Sequence, residues 1–226
     1  MVIEARNVEF QFIEPADPFA GFRDDIEQFW ADCQSRNPSA YSEKILNVFN
    51  IDEDAGSIKL QIGFINYYEA FFSRSKGMVK AKPLFSGAYI LTADGFCCLA
   101  VDKNKDANLI GGLASTDDLE NGSYDPELCL IRECKEELGI DIRDARFDHS
   151  LKYMRVSRDD EYYFPVGLLY EVKTELTRNE LEEIFRSNKH DDELLELKFI
   201  RLDGSHRSQV QTRREYIFEL LDLITA

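Results

Sequence analysis

Three glutamates lie close together in the segment RECKEELGI, at Glu133, Glu136 and Glu137. If the segment is helical, each residue turns by about 100°, so the three carboxylates fall within an arc of roughly 100°. Like charges this close repel one another and raise each other's pKa unless a cation neutralises them. Oxygen donors favour hard divalent cations that keep waters and bridge to phosphates. The cluster therefore predicts a Mg²⁺ or Mn²⁺ site that acts on a phosphate compound.

The flanking residues predict the helix that this cluster needs. Asp125 can cap free backbone amides, Pro126 suits the first helical position, and Glu127 complements the positive end of the helix dipole. Gly139 predicts the end of the helix. The opposite face is apolar and should pack in the core; it carries Leu128, Ile131, Cys134 and Leu138.

A glutamate-rich helix face is, by itself, more often solvated surface than a site. Here the cluster follows a predicted strand hairpin and the pair Gly111-Gly112, and it lies on a capped helix that ends at a glycine. This context favours the functional interpretation over the solvated surface.

The stretch Arg132 to Ile140 resembles the second half of the Nudix box, the signature of hydrolases that act on a nucleoside diphosphate linked to another group. The resemblance implies an α/β/α sandwich with a mixed sheet over residues 83–226. It also implies that Glu136 and Glu137 are the leading metal ligands and that Glu133 is a ligand or the general base. Arg132 would orient these carboxylates by an ion pair; otherwise it is an ordinary surface cation.

The first half of the box departs from the family pattern. Counted back from Arg132, the family's earlier glutamate falls on Tyr124 and its opening glycine on Asp118. Residues 114–124 would then form an insertion. Within it Glu120 or Asp117 could supply the missing carboxylate, although an exposed acidic loop is the favoured interpretation.

Two further site features follow from the resemblance. The carbonyl of Gly112 is a candidate metal ligand, with a tight turn as the structural alternative. A late acidic residue is expected to hold metal or activate water, with Glu193 favoured and Glu196 second; residues 159–161 form a competing loop. We expect His190 to be a surface residue, because the other donors are oxygens.

The elements around the helix predict two parts, a small N-terminal α+β lobe (1–82) and a second part (83–226), which the resemblance implies is a Nudix hydrolase domain. In the lobe we expect a strand at residues 8–12, a helix through residues 22–33 and a hairpin around residues 52–56. In the second part Asp94-Gly95 predicts a tight hairpin. Further strands and helices alternate after the glutamate helix, which predicts a mixed sheet covered by helices.

The lobe is loosely similar to the lead-in of Nudix-like UDP-sugar hydrolases. On that resemblance Tyr67, with Tyr68, and the cations Arg74 and Lys76 would approach the base or the phosphates of a substrate. The favoured alternative is a segment that packs on the core. The lobe could also exchange with a second copy, which would make a homodimer.

Composition limits the other functions. The 27 Lys and Arg residues against 43 Asp and Glu residues give a net charge of −16, which disfavours binding to nucleic acid or to an anionic membrane. The five cysteines form no CxxC pair, so we expect neither a zinc site nor a disulfide framework. The N-terminal residues do not form a signal peptide and no apolar run is long enough to span a membrane, so we expect a cytoplasmic protein.

The resemblance thus implies a pyrophosphohydrolase that uses Mg²⁺ or Mn²⁺ and attack by water, with a nucleotide sugar or ADP-ribose-like substrate. No Ser, Cys or His lies in a convincing nucleophile and base arrangement, so no covalent intermediate is expected. One alternative is a Nudix-fold module that binds nucleotides or regulates without catalysis. Another is a protein-interaction domain that uses the acidic surface.

Overall fold

A computed structural model of the chain describes residues 1–40, 42–54, 57–78, 80–156, 165–188 and 194–225. The strands are β1 (Val2–Glu4), β2 (Val8–Phe12), β3 (Lys44–Asp54), β4 (Ser57–Asn66), β5 (Leu84–Leu91), β6 (Phe96–Asp102), β7 (Ala107–Asn108), β8 (Ile110–Leu113), β9 (Leu119–Glu120), β10 (Ser123–Tyr124), β11 (Phe147–Arg155), β12 (Val166–Thr174) and β13 (Leu194–Arg201). The helices are α1 (Arg23–Arg36), α2 (Tyr67–Ser75), α3 (Pro126–Leu138), α4 (Arg178–Asn188), α5 (His206–Gln209) and α6 (Glu215–Thr225). None of the helices among these residues is long and apolar enough to cross a membrane.

The main sheet has the strand order β1-β11-β12-β5-β6-β13, with β8 paired to β5 and β7 to β6. It is mixed, because β12 and β5 are parallel and the other pairs are antiparallel. Alternate residues of β5 enter different cores: Ala88 packs with α3 and α4, and Tyr89 packs with α6. Helices therefore cover both faces, and the predicted α/β/α sandwich is confirmed.

The N-terminal region forms a second sheet, in the order β2-β4-β3, with α1 and α2 on one face. Leu46 on the other face belongs to the same hydrophobic core as α3, whereas Ile45 packs with α1 and α2. This α+β region shares its core with the main sheet. The boundary at residue 82 stays a proposal. Strand β1 precedes that boundary in sequence but pairs with β11 of the main sheet.

Most elements follow the local sequence signals. The hairpin at Asp94-Gly95 forms with Gly95 at φ 81°, and β3 and β4 pair antiparallel as predicted. Two elements, β1 and α2, carry weaker local signals and were not predicted. Strand β1 has only three residues, and its partner is distant along the chain. Helix α2 is rich in aromatic residues of low helix propensity, and the capping box of Asn66 and Glu69 was its available signal.

Strand β13 departs from simple alternation. Simple alternation would place Leu195, Leu197 and Phe199 on one face, but the pairing register with β6 shifts between Leu194 and Glu196. Leu194 is buried and Leu195 is exposed in consequence. An extra residue of this kind re-aims the side chains on either side of it.

Candidate active site

Helix α3 presents the glutamates as its sequence predicts. The Asp125 side chain accepts a hydrogen bond of 2.9 Å from the backbone N–H of Glu127, Pro126 is the first helical residue, and Gly139 ends the helix at φ 72°. The residues that anchor the helix in the core are Ile131, Cys134 and Leu138, which are all buried, with Leu128 half-buried beside them.

Arg132 joins two of the three carboxylates. Its Nη1 lies 2.6 Å from Oε1 of Glu133 and 3.2 Å from Oε2 of Glu136. The Glu133 residue is only 9% exposed, whereas the Glu136 side chain is 59% exposed. One carboxylate is therefore enclosed by protein and its neighbour reaches solvent, with one guanidinium nitrogen between them.

The glycine pair of β8 faces the same helix. The backbone N–H of Gly111 donates a 2.7 Å hydrogen bond to Oε2 of Glu137. The carboxylate of Glu133 lies against Gly112, where a Cβ atom would approach its Oε1 to 2.4 Å. The thiol of Cys129 is 3.8 Å from the Gly112 carbonyl oxygen and donates to it. Two glutamates of α3 thus converge on two adjacent glycines.

Burial changes the acidity of Glu133. Desolvation raises its pKa from 4.5 to about 7, against the opposing effect of the neighbouring Arg132, while Glu136 and Asp118 raise the pKa further. A carboxyl group with a pKa near neutrality can exchange a proton at physiological pH.

Asp118 is a site residue that sequence reasoning missed. Its carboxylate is 1% exposed and accepts two hydrogen bonds of 3.0 Å from Arg132, one from Nε to Oδ1 and one from Nη2 to Oδ2. Asp117 and Glu120, the residues considered for the missing carboxylate, are exposed. Asp118, rather than Asp117 or Glu120, is therefore the carboxylate of this loop that contacts Arg132.

The expected acidic loop is an ordered turn and hairpin. Strands β9 and β10 pair across Asn121 and Gly122, which have φ 51° and 79°. An Asn-Gly pair is a strong hairpin signal, and it was the feature that could have revealed this geometry. The hairpin brings the carbonyl of Asp118 to the backbone N–H of Asp125, at 3.0 Å, just before α3.

Tyr124 packs in the hydrophobic core and is not a site residue. The residue is buried, its ring contacts Phe10 edge-on at 5.0 Å between centroids, and its hydroxyl lies 3.3 Å from Ser86 Oγ. Burial raises the pKa of its phenol well above the usual value. It cannot replace a carboxylate.

The donors around α3 suit a hard cation in chemical type, since they are carboxylate and carbonyl oxygens. Gly112 also leaves the space that the Glu133 carboxylate fills. Within the described ranges, however, no group of three or more His, Cys, Asp or Glu side chains is arranged to hold a metal ion. The guanidinium of Arg132 supplies the positive charge between Glu133 and Glu136. Convergence on a cation would require these side chains to turn.

Of the acidic residues expected late in the chain to hold metal or activate water, the structure describes Glu196 and not Glu193. Glu193, His190 and residues 159–161 lie outside the described residues. Glu196 is exposed on β13 and lines a groove of about 590 Å³ with Lys198 and Leu195.

The substrate-binding candidates lie on and just after α2. Tyr67 is 38% exposed and stacks on Phe71, with ring centroids 6.3 Å apart. Arg74 is in the last turn of the helix, and the Lys76 amine lies 5.8 Å from the Phe72 ring centroid. The ring of Tyr68 packs against Trp30 at a tilt of 32°, with centroids 5.7 Å apart. Substrate contact by these residues stays a prediction.

Several solved structures are similar to this chain. Tm1382, assigned provisionally as a Nudix hydrolase, is 18% identical with a TM-score of 0.48, over 72% of this chain and 79% of that one. The NUDIX domain of Shewanella oneidensis NrtR, solved with ADP ribose, is 14% identical with a TM-score of 0.42, over 63% and 85%. A C. elegans Ap4A hydrolase is 14% identical with a TM-score of 0.42, over 62% and 95%. These likenesses concern the fold alone. No protein-family model and no curated protein matches the chain.

Proposed function

We propose that this protein hydrolyses the pyrophosphate bond of a nucleoside diphosphate linked to another group, such as a nucleotide sugar or an ADP-ribose-like compound, with Mg²⁺ or Mn²⁺. The observation that carries the proposal is the convergence of Glu133 and Glu137 on the adjacent glycines Gly112 and Gly111. A buried carboxylate with a raised pKa beside other carboxylates is typical of a site that binds a cation or moves a proton.

Each residue has a proposed role. Glu133, Glu136, Glu137 and the Gly112 carbonyl would hold the cation, which when bound polarises phosphate oxygens and neutralises their charge. Glu133, if it is not a ligand, would accept the proton of the attacking water as the general base, because its carboxylate lies against Gly112 among the proposed ligands. The water oxygen bonds to one phosphorus, the bridging P–O bond breaks, and two monophosphates leave.

The remaining assignments are also proposals. Glu193 would hold metal or activate the water, and Tyr67, Arg74 and Lys76 would contact the base or the phosphates. The cytoplasm is the proposed location, because the described cysteines are free thiols and four of the five are buried.

One observation favours a second function, a nucleotide-binding module without catalysis. In the part of the chain that the structure describes, the glutamates are not grouped as a metal site. Loss of metal ligands would leave binding without turnover.

A substrate panel separates these functions. The full chain is incubated with nucleotide sugars, ADP-ribose, dinucleotides and nucleoside triphosphates, with Mg²⁺, with Mn²⁺ or with a chelator, and monophosphates are measured by ion-exchange chromatography. We expect cation-dependent release from at least one diphosphate compound. Saturable binding without release supports the module, and neither binding nor release overturns both functions. In that case an unchanged thermal stability with Mn²⁺ would favour the protein-interaction domain.

A further inference from the structure

Asp118 and Arg132 form a two-point contact within the protein. Both hydrogen bonds are 3.0 Å long, and the side chains are 1% and 25% exposed. A fork of this kind fixes the plane of the guanidinium as well as its position. With Nε and Nη2 held by Asp118, the Nη1 group is left to reach Glu133 and Glu136.

Asp118 is itself held by the backbone around it. Its Oδ2 accepts a 2.8 Å hydrogen bond from the N–H of Ser115, and the adjacent Ala114 carbonyl accepts one of 2.8 Å from the N–H of Leu46. Ile45 and Ser115 also form an antiparallel bridge. Strand β3 of the N-terminal region is thus bonded to the segment that carries Asp118.

We propose that Asp118 is the positioning residue of this site. It holds Arg132, and through Arg132 it fixes the positions of the Glu133 and Glu136 carboxylates. The N-terminal region takes part because β3 anchors the segment of Asp118. The proposal rests on the function proposed above. It assigns Asp118 no contact with substrate, so its removal should change cation binding and the rate of the chemical step more than substrate affinity.

A double-mutant cycle tests this role. Mn²⁺ affinity, kcat and KM are measured for the wild type, Asp118→Asn, Arg132→Gln and the double variant. We expect Asp118→Asn to weaken Mn²⁺ binding about 10-fold and lower kcat about 10-fold or more, with little change in KM. In the Arg132→Gln background the same change should lower Mn²⁺ affinity and kcat by less than about 2-fold. The exposed neighbour is the matched control, and Asp117→Asn should behave as the wild type.

A purely structural role for Asp118 gives a different result. Asp118→Asn would then lower the melting temperature equally in both backgrounds and leave Mn²⁺ affinity and kcat unchanged, and this result would overturn the proposal. Losses of Mn²⁺ affinity and kcat that are additive in the double variant would also overturn it. If Asp118→Asn does not fold, Arg132→Lys serves as the second variant, because it keeps the charge and loses the fork; it should reproduce the losses of Mn²⁺ affinity and kcat.

Failure of the proposed function is distinguishable from failure of this proposal. If the wild type binds Mn²⁺ without turnover, the Mn²⁺ affinities of the four proteins are sufficient for the double-mutant cycle. If it does neither, the proposed function fails, and NMR of the Arg132 guanidinium reports on Asp118 directly. A rigid Arg132 side chain in the wild type that becomes mobile in Asp118→Asn would support the positioning role; equal mobility in both would refute it.

Discussion

The carboxylate of Glu133 lies directly over the α-carbon of Gly112. A Cβ atom at residue 112 would stand 2.4 Å from Oε1 and 2.5 Å from Cδ of Glu133, closer than non-bonded atoms approach. The contact joins β8 to α3, so the position of the carboxylate depends on the absence of a side chain on the strand. The residue at position 112 therefore determines where the Glu133 carboxylate can lie.

Gly112→Ala should inactivate the protein without unfolding it. The new methyl group meets the flexible end of the Glu133 side chain, which can turn away, so we expect a change below about 1 kcal/mol in the free energy of unfolding. Displacement of the carboxylate by about 1 Å should lower kcat about 10²-fold. The checks are steady-state kinetics and urea unfolding. Gly21→Ala, at a glycine with no atom within 4 Å of the new Cβ, is the control.

Gly111→Ala should instead destabilise the fold. Its Cβ would lie 2.1 Å from the backbone oxygen of Ser86, and its φ of 147° disfavours a side chain. Because backbone cannot turn aside as a side chain does, we expect a loss of about 3 kcal/mol or more in urea unfolding. Equal stability of the two alanine variants would contradict this account of the glycine pair.

Glu137→Gln should remove most of the turnover. The side chain keeps its size and can still accept from the Gly111 N–H, but it loses the charge that would help to hold a cation. We expect turnover with Mn²⁺ to drop at least about 10²-fold while the melting temperature changes little. Glu183→Gln, an exposed glutamate on α4, is the matched control. Turnover equal to the wild type would exclude Glu137 from the metal site.

Glu133 should make the metal-free protein less stable as pH rises. In the folded chain the Glu133 carboxyl keeps its proton up to about pH 7, whereas in the unfolded chain it releases the proton near pH 4.5. The folded state therefore binds more protons than the unfolded state between these pH values. The free energy of unfolding, taken as wild type minus Glu133→Gln, should fall between these pH values by up to about 3 kcal/mol. Urea unfolding with a chelator measures it. A difference that is flat or rises with pH would refute the raised pKa, and Mn²⁺ should reduce the fall.

Tyr67→Ala separates substrate binding from packing. If Tyr67 stacks on a nucleobase, KM should rise about 10-fold with kcat nearly unchanged, because base stacking on an aromatic ring is worth about 1–3 kcal/mol. Steady-state kinetics on the preferred substrate provides the measurement. Phe12→Ala removes a comparably exposed aromatic residue from β2 and should leave KM unchanged. Equal KM values for all three proteins would favour the packing interpretation.

The local sequence was sufficient for the helix that carries the glutamates. Caps at Asp125 and Gly139 and an apolar stripe act over a few residues, so α3 and its acidic face could be predicted without knowledge of the fold. The turn at Asp94-Gly95 is predictable for the same reason. By contrast, β1 and the exposed position of Leu195 depend on pairing with distant strands, which local periodicity does not encode.

By itself the sequence determined helix α3 and the set of carboxylates on one of its faces, because spacing along a helix dictates which side chains are neighbours. Only the tertiary structure decided that Asp118 holds Arg132, that β3 anchors the segment of Asp118, and that Glu133 is enclosed against Gly112. These contacts join segments that are far apart or irregular in sequence. Burial and long-range pairing, which arise only when the whole chain packs, give them their geometry and raise the pKa of Glu133.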